Sequence, residues 1–535
     1  MKKLRLIFLF LAVSAAVFAQ NEPKEKHFDI FKSGDIFNAV LRELDINYVD
    51  TLDYEKLIGV AINKMLATLD PYTVFIPETE EGALKQMTSG VYGGIGALIQ
   101  KHGDYVVISE PRFGMPAQKN DLRAGDEIVE INGENVAGKA SDYVSERLKG
   151  IPGTEIRLKI RRFGEKKLIE KKFLREVIQI NSIEYYGVIS DTAGYIQLND
   201  FTDKSMIDFK AAMVDLFENK HIKRLVIDLR NNGGGLVSEA VNIASLFVPR
   251  GTEIVSMSGR SQSEKKSYAT SFTPMFPDMP IAFLINENTA SAAEILAGAF
   301  QDLDRAAIVG ERSFGKGLVQ AIRRLPYNTY FKITTNKYYL PSGRCIQAID
   351  YFSDNTERAK TVSDSLTSEF KTAKGRTVRD KSGITPDVFV EEKQGNYISY
   401  YLYMKNIIFD FATKYCRKHE KIDSAESFTI TDSDYNDFIS FVKEKNFSYK
   451  LESEKNLQQL IKIVELEGYS ERTKDPFAQL TEILKPDLDK DLTDFRDDIQ
   501  TYIESEIIKR YYFQRGAAQY RLRKDEWVKK AVETL

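Results

Sequence analysis

Histidine and cysteine are both scarce in this chain of 535 residues, with four of the first and two of the second. His27, His102, His221 and His419 lie far apart, and the chain carries no zinc-type set of paired Cys/His ligands. Cys345 and Cys416 are also distant; they read as two reduced, partly buried thiols, although spacing alone does not fix whether they pair. No charge of one sign dominates: the net charge is −3, so nucleic acid and acidic membrane surfaces are not expected partners. Long apolar runs are missing too. The one candidate, Leu6 to Val17, is shorter than the roughly 20 residues a membrane span needs.

That run is instead the middle of an address. Lys2, Lys3 and Arg5 precede it, and Val17-Phe18-Ala19 offers a small-residue cleavage pattern. No cysteine follows, which closes the lipoprotein option. The expectation is an exported, periplasmic protein cleaved near Ala19, touching a membrane only if the leader stays uncleaved. The remaining chain, 43 % apolar overall, is long enough for about three or four domains.

Residues 20–88 read as helical. Ile36, Phe37, Val40, Leu41 and Leu44 share a face, as do Leu57, Ile58, Ala61, Met65 and Leu69, and Asp70-Pro71-Tyr72 closes the segment. This is a packing or dimerisation element. Residues 89–176 change to strands and glycine turns: Gly93-Gly94-Ile95-Gly96-Ala97, then Gly125-Asp126-Glu127-Ile128-Val129-Glu130-Ile131-Asn132-Gly133. Residues 177–390 alternate strands and helices. Leu225-Val226-Ile227-Asp228-Leu229 is a strand of the kind buried on both faces, running into Arg230-Asn231-Asn232-Gly233-Gly234-Gly235. Residues 391–535 are charged and mainly helical.

Ile281 to Ile285 reads as a buried strand, followed by polar turn residues and an Ala-rich helix. Ser291 therefore sits at a helix N-terminus, where free N–H groups and the helix dipole favour developing negative charge. Ser291-x-x-Glu294 is equally a capping box, so the serine is either a nucleophile or a cap. Further on, Gly310-x4-Gly315-Lys316 mimics a phosphate-binding loop. Gly317 stands where a Mg²⁺-holding hydroxyl belongs, and strands rather than a helix follow, so nucleotide binding is rejected. Lys316 lies 25 positions after Ser291 and can replace histidine as a base. For that role burial must lower its pKa by roughly 3 units, about 4 kcal/mol. A solvated loop lysine is the alternative. Of the histidines only His221 falls in this region, without an obvious partner, which argues against a Ser-His-Asp triad.

Residues 89–176 resemble a PDZ domain, with Asn120-Asp121 in place of the usual Ala-Gly. Taken together, the ordered blocks resemble the C-terminal processing peptidases, or tail-specific proteases, over residues 35–390. The blocks are Asp228 to Gly235, Thr289 to Ile295, Gln301-Asp302, Phe314 to Gly317 with Gln320, Tyr338 to Arg344, and Gly383 to Asp387. Departures are Ala293 at a second serine position, Gly233 where proline is common, and a polar insert from Asp350 to Ser382. The resemblance implies a multidomain α/β protein: a PDZ-like, β-rich module before an α/β Ser–Lys protease core, flanked by helical N- and C-terminal regions.

It implies that Ser291 attacks, Lys316 takes the proton and Gln320 orients the lysine. The N–H groups of Gly234 and Ala292 would form the oxyanion hole, with Asp302 structural. The loop Gly93, Gly94, Ile95, Gly96 and Ala97 would bind the carboxylate of a substrate's apolar C-terminal tail. No metal or nucleotide is implied. The implied partners are protein or peptide substrates, with a homodimer left open. The other reading is a non-catalytic PDZ-type protein that binds peptide tails. For residues 391–535 a dimer interface, a lid and a substrate-handling domain are equally open.

Overall fold

Two apolar runs, Leu225–Ile227 and Ile281–Ile285, fix the middle of the fold, because each must be covered on both faces. The computed structural model describes residues 22–80, 90–260, 265–351, 360–361, 364–391 and 395–535. The leader at 1–19 lies outside these residues. The chain divides into two units, one ending at Pro77 and one beginning at Glu78.

The first unit holds helices α1 (Glu22–Asn47) and α2 (Tyr54–Leu66). Asp53 caps α2 by accepting from the Lys56 N–H. The expected turn is formed: Asp70 Oδ1 accepts from the N–H groups of Tyr72 and Thr73, each at 2.8 Å. The apolar stripe of α1 is exposed at Ile36, Phe37 and Val40.

The second unit begins with a β-rich module. Its sheet runs in sequence order through β1 (Ala97–His102), β2 (Tyr105–Pro111), β3 (Glu127–Ile131), β4 (Glu155–Arg161) and β5 (Ile169–Leu174), with α3 (Ser141–Leu148) beside β1. Ile108, Ile128, Leu158 and Val144 fill its core. Asp121 takes the positive φ of 54° that an Asp tolerates, so the turn survives the Asn120-Asp121 replacement.

The α/β core follows with β6 (Ile183–Ser190), β7 (Ala193–Leu198), α4 (Ser205–Val214), β8 (Arg224–Asp228) and α5 (Val237–Ala244). Then come β9 (Glu253–Ser258), β10 (Lys266–Ala269), β11 (Ile281–Ile285), α6 (Ala292–Asp302), β12 (Ala307–Gly310), β13 (Leu318–Arg324), β14 (Tyr330–Tyr339) and β15 (Val388–Phe389). The six-stranded central sheet has the order β6-β7-β8-β11-β12-β15; β6 is antiparallel to β7 and every other pair is parallel. A second, antiparallel sheet pairs β13 with β14, β14 with β9 and β9 with β10.

Alternate residues of the central strands face opposite ways. Leu225, Ile227, Ile281, Phe283 and Ile285 pack with α4, α5 and α6. Val226, Ala282, Leu284 and Val309 face Ala518, Trp527, Val528 and Ala531 from the C-terminal region. That region comprises α7 (Tyr397–Met404), α8 (Ile407–Lys418), α9 (Asp432–Glu444), α10 (Glu452–Leu466), α11 (Ser470–Ile483), α12 (Leu488–Asp494), α13 (Arg496–Leu522) and α14 (Glu526–Thr534). It has its own core around Phe411, Phe438 and Ile503. The acidic stretch from Asp487 to Asp498 is only partly a solvated face: Asp487 caps α12, Asp491 accepts from the Tyr449 hydroxyl, and Leu492 is buried.

Gly310 shows why the phosphate-loop mimic has its glycines. Its φ is +125°, and a Cβ there would fall 2.2 Å from the Ile285 carbonyl oxygen and 2.8 Å from the Trp527 ring. The insert is partly a hairpin of Glu369–Lys371 with Thr377–Arg379. Its Arg376 reaches Asp304 and Asp387, both at 2.5 Å.

The β-rich module also seats on the C-terminal helices. Gln100 Nε2 donates to Asn406 Oδ1 at 3.1 Å, and His102 Nε2 lies 2.8 Å from Asp410 Oδ1. Arg417 donates to the carbonyls of Phe163 and Gly164. The hydrogen bond to Asp410 raises the His102 pKa above its ordinary value near 6.5, with burial opposing. Because the folded-state value is the higher one, the stability from this contact is complete below about 6.5 and is lost as pH rises through the raised pKa. His102→Gln should remove that part of the pH dependence of urea unfolding, whereas an unchanged profile would show that the contact contributes nothing.

Candidate active site

Parallel strands β8, β11 and β12 are neighbours, so their carboxyl ends share one edge of the sheet. Ligand and catalytic groups of open α/β sheets usually gather at such an edge. Three loops leave it: Leu229–Leu236 after β8, Asn286–Ser291 after β11, and Glu311–Gly317 after β12.

The first two loops are stitched together by short polar side chains. The Thr289 hydroxyl donates to the Leu229 carbonyl at 2.9 Å, and the Ala290 N–H donates to the Asn232 carbonyl at 2.9 Å. Asn286 Oδ1 accepts from the Asn231 N–H, while Asn286 Nδ2 returns a bond to Asn231 Oδ1. Between these ties Ser291 adopts φ 58° and ψ −118°. A positive φ on a residue with a Cβ costs of order 1–3 kcal/mol and persists only where its surroundings over-determine it. Ser291 is the N-cap residue, one position before α6, which begins at Ala292.

What over-determines the turn is Glu294. Its carboxylate is completely buried and accepts four hydrogen bonds. Oε2 takes the Ser291 N–H and the Lys316 N–H, both at 2.9 Å. Oε1 takes the Gly315 N–H at 2.7 Å and the Ser313 hydroxyl at 2.5 Å. One oxygen therefore joins the backbones of Ser291 and Lys316, whose nitrogens lie within twice 2.9 Å of each other. The Phe314 N–H adds a further tie to the Thr289 carbonyl at 3.0 Å. Burial pushes the Glu294 pKa up to about 7, while the four donors pull it the other way.

The remaining candidates fall as follows. Lys316 is half-buried on the loop before β13, and Gln320 is on β13 with its Nε2 donating to Thr334 Oγ1 at 3.2 Å. Gly234 has φ +97°, and a Cβ on it would stand 2.8 Å from Ala290 O, Ala292 N and Ser291 Cβ, so only glycine fits against the serine turn. The Gly234 N–H, expected at the oxyanion, here donates to Asn232 Oδ1 at 2.8 Å in an Asx turn. Ala292 is the first residue of α6, where the N–H has no partner within the helix. Asp302 pairs with buried Arg344 at 2.8 Å and accepts from the Ser342 N–H, an arrangement that braces the end of α6.

In the β-rich module, Gly93 and Gly94 pair with Val177 and Glu176 in a short ribbon. Ile95 is buried with its carbonyl on the Ala117 N–H, and Gly96 has φ +69°. Ala97 opens β1, which pairs only with β2 among the described residues, leaving its other edge next to α3. Both cysteines are free thiols.

Sequence pattern disclosed Glu294 only as half of a capping box. Its bonds to residues 313–316 join segments about twenty positions apart, and no local spacing reveals them. The pairing of Arg230 with Asp228 and Asp525 was likewise not anticipated.

A strained strand-to-helix turn serves to expose a nucleophilic serine, and an open strand edge serves to take an extended polypeptide. Together they fit one class, a serine-type peptidase. Comparison with known proteins shows that class and gives the family. Residues 192–354 match peptidase family S41, residues 93–172 match a PDZ domain, and residues 398–535 match the C-terminal helical domain of probable PDZ-proteases. The carboxy-terminal-processing protease of Bartonella bacilliformis is 35% identical over 353 residues, covering 65% of this chain and 80% of that protein. A probable CtpA-like serine protease of Staphylococcus aureus is 33% identical over 308 residues, covering 57% and 61% respectively. Among solved structures, a photosystem II D1 C-terminal processing protease is 28% identical, covering 66% of this chain and 86% of that one, with a TM-score of 0.37. The chain belongs to peptidase family S41, among the C-terminal processing peptidases that carry a PDZ domain.

Glu294→Gln keeps the side-chain shape but turns an NH₂ toward two of the four donors. At about 1–3 kcal/mol for each donor left unsatisfied, urea unfolding should show a loss of about 2–6 kcal/mol. The wild-type folded state holds a proton on Glu294 between about 4.5 and about 7 that the unfolded chain releases. Its contribution is therefore fullest below about 4.5 and is lost as pH rises through about 7. The variant should lack this slope; retention of both wild-type stability and wild-type slope would contradict the assignment.

Proposed function

We propose that this peptidase works through a Ser291–Lys316 dyad and cuts exported proteins near their C-termini. The observation that carries the proposal is the shared Glu294 oxygen, which keeps the backbones of the two residues together at the sheet edge. Neutral Lys316 takes the proton from Ser291 Oγ as that oxygen bonds to the scissile carbonyl carbon. The C–N bond then breaks, the leaving amine carries the proton away, and water hydrolyses the acyl-enzyme with Lys316 again as base. Gln320 holds the lysine.

The oxyanion is received by the N–H groups of Ala292 and Gly234. For Gly234 this requires its bond to Asn232 Oδ1 to open as substrate enters. The PDZ domain captures an apolar tail that adds as a strand along β1, its carboxylate at the loop Gly93–Ala97. The basic start, apolar stretch and Ala19 of the leader support export to the periplasm, and the exposed apolar stripe of α1 supports a homodimer.

Cleavage of an unfolded reporter with an apolar C-terminal tail should be compared for wild type, Ser291→Ala and Lys316→Ala between about pH 6 and about pH 10, a range that spans a depressed lysine pKa and approaches the ordinary one at about 10.4. Both variants are expected to lose activity, and amidating the tail should slow wild-type cleavage. Cleavage by Ser291→Ala would reduce the serine to a helix cap. A wild type that binds the tail without ever cutting it would favour the tail-binding reading instead.

A further inference from the structure

The turn that carries Gly234 begins at Arg230, and Arg230 is held from outside the α/β core. Its Nη2 donates to Asp228 Oδ2 at 2.5 Å and to Oδ2 of Asp525, from the C-terminal helical domain, at 2.7 Å. Asp228 is fixed in turn by the hydroxyl of buried Tyr195 at 2.7 Å and by the Arg230 N–H at 2.9 Å.

Asp525 divides its two oxygens between two tasks. Oδ1 accepts from the N–H groups of Trp527 and Val528 and so caps α14, while Oδ2 faces Arg230. The Trp527 ring lies under the guanidinium, 5.4 Å from its carbon, and is seated against the central sheet with Val226 and Leu284. Arg230 lies on a polar cavity of about 280 Å³ that Asn231 and Asn286 also line. Contacts thus run without a gap from Asp525 through Arg230 to Asn231, across to Asn286, and into the turn that ends at Ser291.

We propose that Asp525 is a positioning residue for the hydrolytic reaction: from the C-terminal helical domain it holds Arg230, and through Arg230 the glycine turn beside Ser291. The helical domain is then part of what shapes the oxyanion site. The pair is partly buried, its side chains 20% and 15% exposed; its value lies in fixing geometry, and geometry is what an oxyanion site needs. The inference rests on the Ser291 reading given above.

Asp525→Asn tests it, because an amide still offers an oxygen to cap α14 but turns no charge toward Arg230. In the full-length protein, kcat for the tailed reporter should fall about tenfold to about a hundredfold. That is less than the roughly 100- to 1,000-fold cost of deleting an oxyanion donor. KM should stay within about twofold, since the PDZ domain is untouched. The rate at which a fluorophosphonate probe labels Ser291 should fall in parallel, because its adduct also places an oxygen in the oxyanion site.

In an Arg230→Gln background the same change should have no further effect, as residues acting through one contact are not additive. Trp527→Phe, which leaves Asp525 in place, should lower the urea midpoint without lowering the labelling rate. Wild-type kcat and labelling in Asp525→Asn would overturn the inference. So would a Trp527→Phe variant that loses as much labelling. Failure of the underlying reading is separately visible, as cleavage retained by Ser291→Ala.

Discussion

A carboxylate with no exposure to water normally protonates or finds partners, and Glu294 finds four donors from two different loops. Charge-assisted hydrogen bonds of this kind are worth about 1.5–3 kcal/mol each. Burial outweighs them in the balance that lifts the Glu294 pKa, so what the four bonds supply is geometry: they hold Ser291 at a positive φ that costs of order 1–3 kcal/mol. The strain of the serine turn and the place of the lysine loop are therefore set by one side chain. Glu294 can do this because α6 starts at Ala292, which puts residue 294 in the first helical turn and aims its carboxylate back over the turn that precedes it.

The second constraint is the central sheet. Strands as apolar as β8 and β11 cannot leave a face wet, and α4 to α6 cover only one. Trp527, Val528 and Ala531 of α14 cover the other, after about 140 residues of intervening helical chain. The C-terminal region is thus part of the protease core's own packing. The same region holds the outward face of β1 through Gln100 and His102, and β1 is the strand at the open edge of the PDZ domain. The protease core and the PDZ domain are both fastened to one helical body.

Local chemistry made much of this legible. Alternation and apolar runs located the strands of the core, glycine and asparagine located the turns, and Ser291-x-x-Glu294 located a helix start. The phosphate-loop mimic could be set aside because Gly317 lacks a hydroxyl and β13 follows it; contacts at Gly310 then show that sterics, not phosphate, demand glycine there. Long-range pairings were not legible. Glu294 with residues 313–316, Arg230 with Asp525, and α14 on the sheet each join distant segments through side chains that look ordinary in isolation. The expected Gly234 donor shows a different limit, because an Asx turn by Asn232 occupies its N–H in this conformation.

The central claim is that the Glu294 carboxylate locks the serine turn to the lysine loop. Amide hydrogen exchange at Ser291, Gly315 and Lys316 measures that lock directly. In the wild type all three should exchange slowly, and in Glu294→Ala, which removes both acceptor oxygens, the Ser291 and Lys316 amides should speed up together, since they share one oxygen. Wild-type exchange at these amides as fast as in an open surface loop, or acceleration of one in the variant without the other, would contradict the account.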